Sequence, residues 1–167
     1  MGNTLEFMLV PDAVLLNISA NDAREVVTLL GGLLQDAGFV KSTFVEAALE
    51  REKTMPTGLP LAGEINAAIP HTDIEHVIKP GVALATLVEP VVFQNMIAPE
   101  EGVLVRLVFL LALNQPKAQV EMLQQVASVL QTPAVVEGLI NATDMNSIRK
   151  LLASEANLQE SIGWEER

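Results

Sequence analysis

Apolar residues recur along the chain with two periods, and the alternation between them outlines a fold. Leu5–Val10 and Ala13–Ile18 are short apolar runs of strand character, separated by the turn-forming pair Pro11-Asp12. The spacing then becomes helical. Val26, Val27, Leu29, Leu30, Leu33 and Leu34 form one broad face, with Asn21 or Asp22 placed to start the helix and Gly38 to stop it. Ser42-Thr43-Phe44-Val45-Glu46 is a capping-box pattern, Thr43 reaching forward and Glu46 back. The helix it opens turns Phe44, Val45, Ala48 and Leu49 inward and runs to about Glu52. Thr54–Gly63, rich in Pro and Gly, is the longest break, and a short buried strand, Ile65–Ile69, leads from it into Pro70-His71. Val82–Val88 and Val103–Leu113 are almost continuously aliphatic, as strands covered on both faces should be. A helix with Pro116 in its first turn reaches about Leu130, with Val120, Leu123, Val126, Ala127 and Leu130 on one face. Thr132-Pro133 is a cap and first-position pair for a short helix, and Thr143 or Asp144 opens another carrying Ile148, Leu151 and Leu152.

Helices before, between and after strands predict an α/β fold: a single-domain layered arrangement with a mixed, mostly buried β-sheet flanked by helices. The pattern assigns residues 1–156 to the domain and 157–167, where the periodicity is lost, to a C-terminal tail. Half of the 167 residues are hydrophobic, which excludes a disordered chain. Aromatic residues are 4% and Tyr is absent, so Leu, Val, Ile, Ala and Met must build the core. A net charge of −11 argues against a nucleic acid held by a basic surface. The longest apolar run, Leu107–Leu113, is far short of the roughly 20 residues that cross a bilayer. The N-terminus lacks the pattern of a secretory leader, so a cytoplasmic location is expected. Without Cys there is no disulfide, thiolate zinc site or thiol nucleophile.

Several chemistries fail on their motifs. Gly58 and Gly63 have the glycine spacing of a phosphate-binding loop, but Glu64 stands where a lysine is required. No dinucleotide-binding glycine motif and no serine-hydrolase elbow occur. His71, Asp73, Glu75 and His76 cluster within six residues, yet they follow a strand and lack a helical histidine pair, so no metal site is expected. His71 remains the candidate with the best placement. It follows a buried strand and the stiff Pro70, at a strand end where open α/β sheets hold ligands, although a loop histidine without a role fits the same position. Arg51, at the end of the second helix, is favoured by the helix dipole whether or not it binds anything. His76 reads as a capping or solvated loop residue.

Taken together, Ala48-Leu49-Glu50-Arg51-Glu52, Met55-Pro56-Thr57-Gly58 and Ala67-Ala68-Ile69-Pro70-His71 resemble the EIIA domain of the fructose–mannitol–nitrogen superfamily, phosphocarriers of the bacterial sugar phosphotransferase system. Met55–Gly58, His76 five residues after His71, Leu113-Asn114-Gln115-Pro116, Gln124-Gln125 and Leu130-Gln131-Thr132-Pro133 are similar to the galactitol-type branch. The resemblance runs from about Leu5 to Ala153. It implies a phosphotransferase in which His71 accepts a phosphoryl group from the carrier protein HPr and passes it to a cysteine of the cognate EIIB. That relay operates with the membrane subunit EIIC and needs no cofactor. The resemblance further implies that Arg51 balances the phosphate charge. Mannitol- and fructose-type members carry a second active-site histidine where this chain has Gln119, which can donate a hydrogen bond but cannot take up a proton near neutral pH. Gln119 is therefore a candidate for orienting His71 or the phosphate.

Two functions follow from the resemblance. One is a phosphocarrier subunit of a sugar or polyol uptake system; the other is a regulatory EIIA-like protein whose phosphorylation at His71 controls a binding partner without transport. Carboxylates are expected to lie away from His71, with Asp73 the exception by its closeness in sequence.

Overall fold

Two long antiparallel strands form the centre of the molecule, and their composition explains why. The structure is a computed structural model that describes residues 5–153. In it α1 (Leu5–Met8) leads into β1 (Leu9–Ile18), followed by α2 (Ala23–Asp36) and α3 (Phe44–Thr54). Next come β2 (Gly58–Leu59), β3 (Asn66–Ala68), a 3-10 turn at Ile74–His76, β4 (Gly81–Gln94) and β5 (Gly102–Ala112). The helices α4 (Pro116–Leu130) and α5 (Pro133–Asn141) complete the named elements, and residues 145–153 are helical. The sheet order is β1-β4-β5-β3-β2: β1 runs parallel to β4 and β3 to β5, whereas β4/β5 and β2/β3 are antiparallel. This is the expected mixed α/β sheet.

The strands are aliphatic on both faces because both faces are covered. Ala83, Ala85, Val108 and Leu110 pack toward α2 and α3 with Val27, Leu30, Leu34 and Phe44. Val82, Leu84, Leu107, Phe109 and Leu111 pack on the opposite side with Val126, Leu139 and Ile148. The parity of β5 changes around Arg106, since Val103 and Val105 face the first core but Leu107 faces the second. The register slips there against both neighbours, and Arg106 Nε donates to the Leu87 carbonyl at 2.9 Å.

Three local expectations are corrected. Pro11-Asp12 is no turn: β1 continues through it as an edge strand, where proline's missing N–H costs no ladder bond, and the register is displaced between Leu9 and Val14. Leu5–Met8 is a helical turn and no strand. Thr43 does not complete a capping box. Its backbone is already helical, no side-chain cap bond forms, and its hydroxyl pairs with His76 instead. The side-chain cap belongs to α2, where Asp22 accepts from Glu25 N–H and Glu25 reaches back to the N–H of Asn21, one residue before the cap. The strand expected at Val82–Val88 extends to Gln94 and joins β5 in a hairpin. The tail assigned to 157–167 lies outside the described residues.

The break between α3 and β3 is held by one carboxylate. Glu52 accepts from both the N–H and the hydroxyl of buried Thr57, at 2.8 and 2.9 Å. Burial raises the Glu52 pKa to about 7, against the lowering effect of these two bonds. Next to Thr57, Gly58 lies so close to β4 that a Cβ would stand 2.6 Å from the Gln94 carbonyl oxygen. Only glycine allows that approach.

Two stability measurements test this region. Gly58→Ala should lower stability in urea denaturation by about 1–3 kcal/mol, because backbone must move to admit the methyl group. Glu52 has a folded pKa above its unfolded one, so its stabilising contribution is present at low pH and is lost as pH rises through about 7. Glu52→Gln, neutral throughout, should therefore stabilise the protein at pH 8 by on the order of 1–3 kcal/mol, with the difference fading toward pH 5.

Candidate active site

The end of β3 is fixed from two sides before the chain reaches His71. Ile69 N–H donates to the Thr57 carbonyl across a long 3.4 Å, and Leu111 N–H of β5 donates to the Pro70 carbonyl at 3.0 Å. Ile69 and Pro70 are buried and the peptide units on both sides of the Ile69–Pro70 bond are held, so this segment is a rigid platform. The imidazole folds back onto it, with His71 Nδ1 2.9 Å from the Ile69 carbonyl oxygen. A carbonyl can only accept, so Nδ1 carries the hydrogen and Nε2 of the neutral ring keeps its lone pair.

The electrostatics favour that neutral form. Burial lowers the His71 pKa from its usual value; the Ile69 carbonyl opposes this, Arg51 adds a further lowering, and Asp73 a raising contribution. The charges of Arg51 and Asp73 thus both reach the ring. Arg51 stands in the last turn of α3, and its Nη1 lies 3.2 Å from Asp73 Oδ1. Its Nε is buried without a hydrogen-bond partner. Asp73 therefore engages the arginine and leaves the imidazole to Ile69.

The structure treats the other candidates differently. His76 sits in the 3-10 turn with Nδ1 2.8 Å from the Thr43 hydroxyl and Nε2 3.8 Å from Glu75. With Lys41 N–H on the His76 carbonyl, it ties this turn to the start of α3. Gln119 lies in the first turn of α4 and is partly buried; no hydrogen bond joins its side chain to His71 or Arg51. The four residues of the sequence cluster do not converge, and among the described residues no group of three or more His, Cys, Asp or Glu is placed to hold a metal ion. Glu52 and Thr57, which brace the platform, were not singled out by motif; the only sequence signal for them is their place beside Arg51 and within Met55–Gly58.

Two clefts of the molecule are lined by neither His71 nor Arg51. One, of about 480 Å3, opens between residues 61–65 and α5 around Arg106. The other, of about 270 Å3, lies between α2, α3 and β4. The imidazole, guanidinium and carboxylate instead form a partly exposed surface group. Such an arrangement can present a nucleophilic nitrogen and one cation to a group delivered from outside. Among the described residues no helix is long and apolar enough to cross a membrane.

Comparisons with known proteins agree with this fold and sequence. Residues 7–155 match the family described as phosphoenolpyruvate-dependent sugar phosphotransferase system, EIIA 2. The galactitol-specific EIIA component of Escherichia coli is 33% identical over 123 residues, covering 74% of this chain and 81% of that protein. The mannitol-specific EIICBA component of Escherichia coli is 30% identical over 150 residues; the match takes in 88% of this chain and 22% of that longer protein. Among solved structures, the complex of enzyme IIAMTL and phosphorylated enzyme IIBMTL from Escherichia coli aligns with a TM-score of 0.71 and 31% identity, covering 87% of this chain and 97% of that one. The nitrogen regulatory protein IIA-Ntr from Neisseria meningitidis, at 24% identity and a TM-score of 0.69, covers 88% of this chain and 97% of its own and shares the fold. Sequence match and layered sheet thus point the same way, and the chain belongs to the EIIA 2 family of the phosphoenolpyruvate-dependent sugar phosphotransferase system.

Proposed function

We propose that this chain is the phosphocarrier subunit of a sugar or polyol uptake system, working in the cytoplasm between HPr and a cognate EIIB that serves a membrane EIIC. The observation that carries the reading is the His71 Nδ1–Ile69 carbonyl bond, which leaves Nε2 as the nucleophile beside Arg51. Nε2 attacks the phosphorus of phosphorylated HPr; its lone pair forms the new N–P bond while the donor's N–P pair returns to the donor. His71 then carries both Nδ1–H and the phosphoryl group, so its ring is cationic, and the Ile69 carbonyl stabilises that charge. A cationic ring is a good leaving group, which suits onward transfer to a thiolate of EIIB. The transition state is loose, with charge spread over the phosphoryl oxygens, so alignment and a positive charge are the main demands. Arg51 supplies the charge through planar donors that match phosphate geometry. Gln119 stands at the start of α4 as an additional donor for an incoming phosphoryl group.

The relatives support the choice of system. The solved neighbour at 31% identity is a IIA with a phosphorylated IIB, and the galactitol-specific relative is itself an EIIA component. A surface site suits macromolecular partners, which complete the site and exclude water only while docked. The regulatory alternative shares the first half-reaction and lacks the second; transfer from the phosphorylated chain to an EIIB cysteine separates them.

His71→Ala should abolish uptake of label from phosphorylated HPr, whereas His76→Ala should keep most of it, because His76 is a tie between two elements. Unchanged labelling of the His71→Ala protein rejects the assignment. Arg51→Ala should fold normally and slow transfer by on the order of 100-fold, as loss of a charge-stabilising donor does; an unaltered rate would return Arg51 to a helix-end role. In wild type the loss of rate on acidification should set in at lower pH than for a histidine of ordinary pKa, since burial and Arg51 oppose protonation of His71.

A further inference from the structure

The guanidinium assigned to the phosphoryl group already has an anion on it. Arg51 Nη1 meets Asp73 Oδ1 at 3.2 Å, with side chains 31% and 69% exposed. Asp73 is two residues beyond His71 and stands directly before the 3-10 turn, yet it makes no capping bond there. Among the described residues, Arg51 is the hydrogen-bond partner of its side chain. Its charge reaches the imidazole, and acts on it in the sense opposite to that of Arg51. An exposed carboxylate with one weak contact is easily displaced, because exposed ion pairs contribute little. A phosphoryl dianion on His71 would compete for the same cation, and two anions on one site disfavour each other.

Resting on the phosphocarrier reading, we propose that Asp73 is a built-in stand-in for the phosphoryl group. It holds Arg51 while His71 is bare and yields it when Nε2 carries phosphorus. The swap has two consequences. In the bare state Arg51 stays oriented without collapsing elsewhere, although its buried Nε is left unpartnered. In the phosphorylated state the nearby carboxylate raises the free energy of the adduct and so favours passing the group on. Asp73 is in this sense a positioning residue that acts through Arg51, and it sets how tightly the chain retains the phosphoryl group. No proton moves in the exchange: Nδ1 keeps its hydrogen on the Ile69 carbonyl throughout, the N–P bond of HPr is exchanged for that of His71 on loading, and that bond is exchanged for an S–P bond on the EIIB cysteine on delivery.

The test uses the full unphosphorylated chain and inorganic phosphate, followed through the NMR resonances of His71 and of the Arg51 side chain. Asp73→Asn should bind phosphate about three- to fivefold more tightly than wild type, the range that freeing a cation from an exposed pair supplies. Asp73→Glu should restore wild-type affinity, and Asp73→Asn combined with Arg51→Ala should lose the gain. Asp73 is exposed, so these variants should retain the wild-type amide dispersion. Equal phosphate affinity in wild type and Asp73→Asn, or a gain that survives removal of Arg51, overturns the proposal. With phosphorylated HPr as donor, the equilibrium should shift by the same factor toward phosphorylated Asp73→Asn chain. If wild type takes no label from HPr at all, the phosphocarrier reading fails, while the phosphate titration still decides whether Asp73 guards Arg51.

Discussion

The hydrogen bond between His71 Nδ1 and the Ile69 carbonyl is the constraint on which the site depends. An imidazole has two nitrogens, and a nucleophile requires one of them bare in a known direction. A solvent-exposed histidine exchanges tautomers freely. This one does not have that freedom, because a buried carbonyl claims one nitrogen. The carbonyl holds its direction because the peptide units on either side of its own are pinned, the Ala68–Ile69 unit by Thr57 and the Pro70–His71 unit by Leu111 of β5. Thr57 is in turn clamped by Glu52, the residue that follows Arg51 on α3. His71 and Arg51 are thus positioned by one continuous set of contacts from α3 through the loop to the sheet centre.

That arrangement keeps a buried carboxylate ionised above about pH 7, which stability alone would select against. Glutamine could accept the Thr57 bonds without the desolvation cost. The charge of Glu52 nevertheless adds to the strength of both bonds, since an ionised acceptor bonds more strongly than a neutral one. Balance among charges recurs at the surface of the site. In a chain of net charge −11, the Asp73 carboxylate is turned onto the Arg51 guanidinium and not onto the His71 ring.

Much of this was legible in the chain. The long aliphatic runs at β4 and β5 announced strands covered on both faces, and Asp22, Pro116 and Pro133 marked helix starts that the structure retains. Pro11-Asp12 misled because proline signals a turn and an edge strand with equal force, and only the position of β1 at the sheet border decides between them. Thr43 misled because a capping box needs an extended cap residue, and backbone angles are set by the contacts of the whole segment, here including His76. The Arg51–Asp73 pair joins residues 22 apart, and the Glu52–Thr57 clamp depends on how the Pro-rich break closes. Neither has a local periodicity, so neither could be read from spacing.

The small number of polar groups around His71 is itself informative about how such a site must work. Among the described residues the ring has one hydrogen-bond acceptor and feels one cation and one opposing anion. A self-sufficient phosphoryl-transfer enzyme would surround three phosphoryl oxygens with donors and exclude water itself. Here one guanidinium, already shared with Asp73, cannot neutralise a dianion. On the proposed phosphocarrier reading, the missing donors come from whatever delivers or receives the group, so that full stabilisation exists only in the docked complex. A carrier built this way keeps its phosphoryl group neither too firmly nor exposed to reaction with every passing nucleophile, because the surface that completes the site also selects the partner.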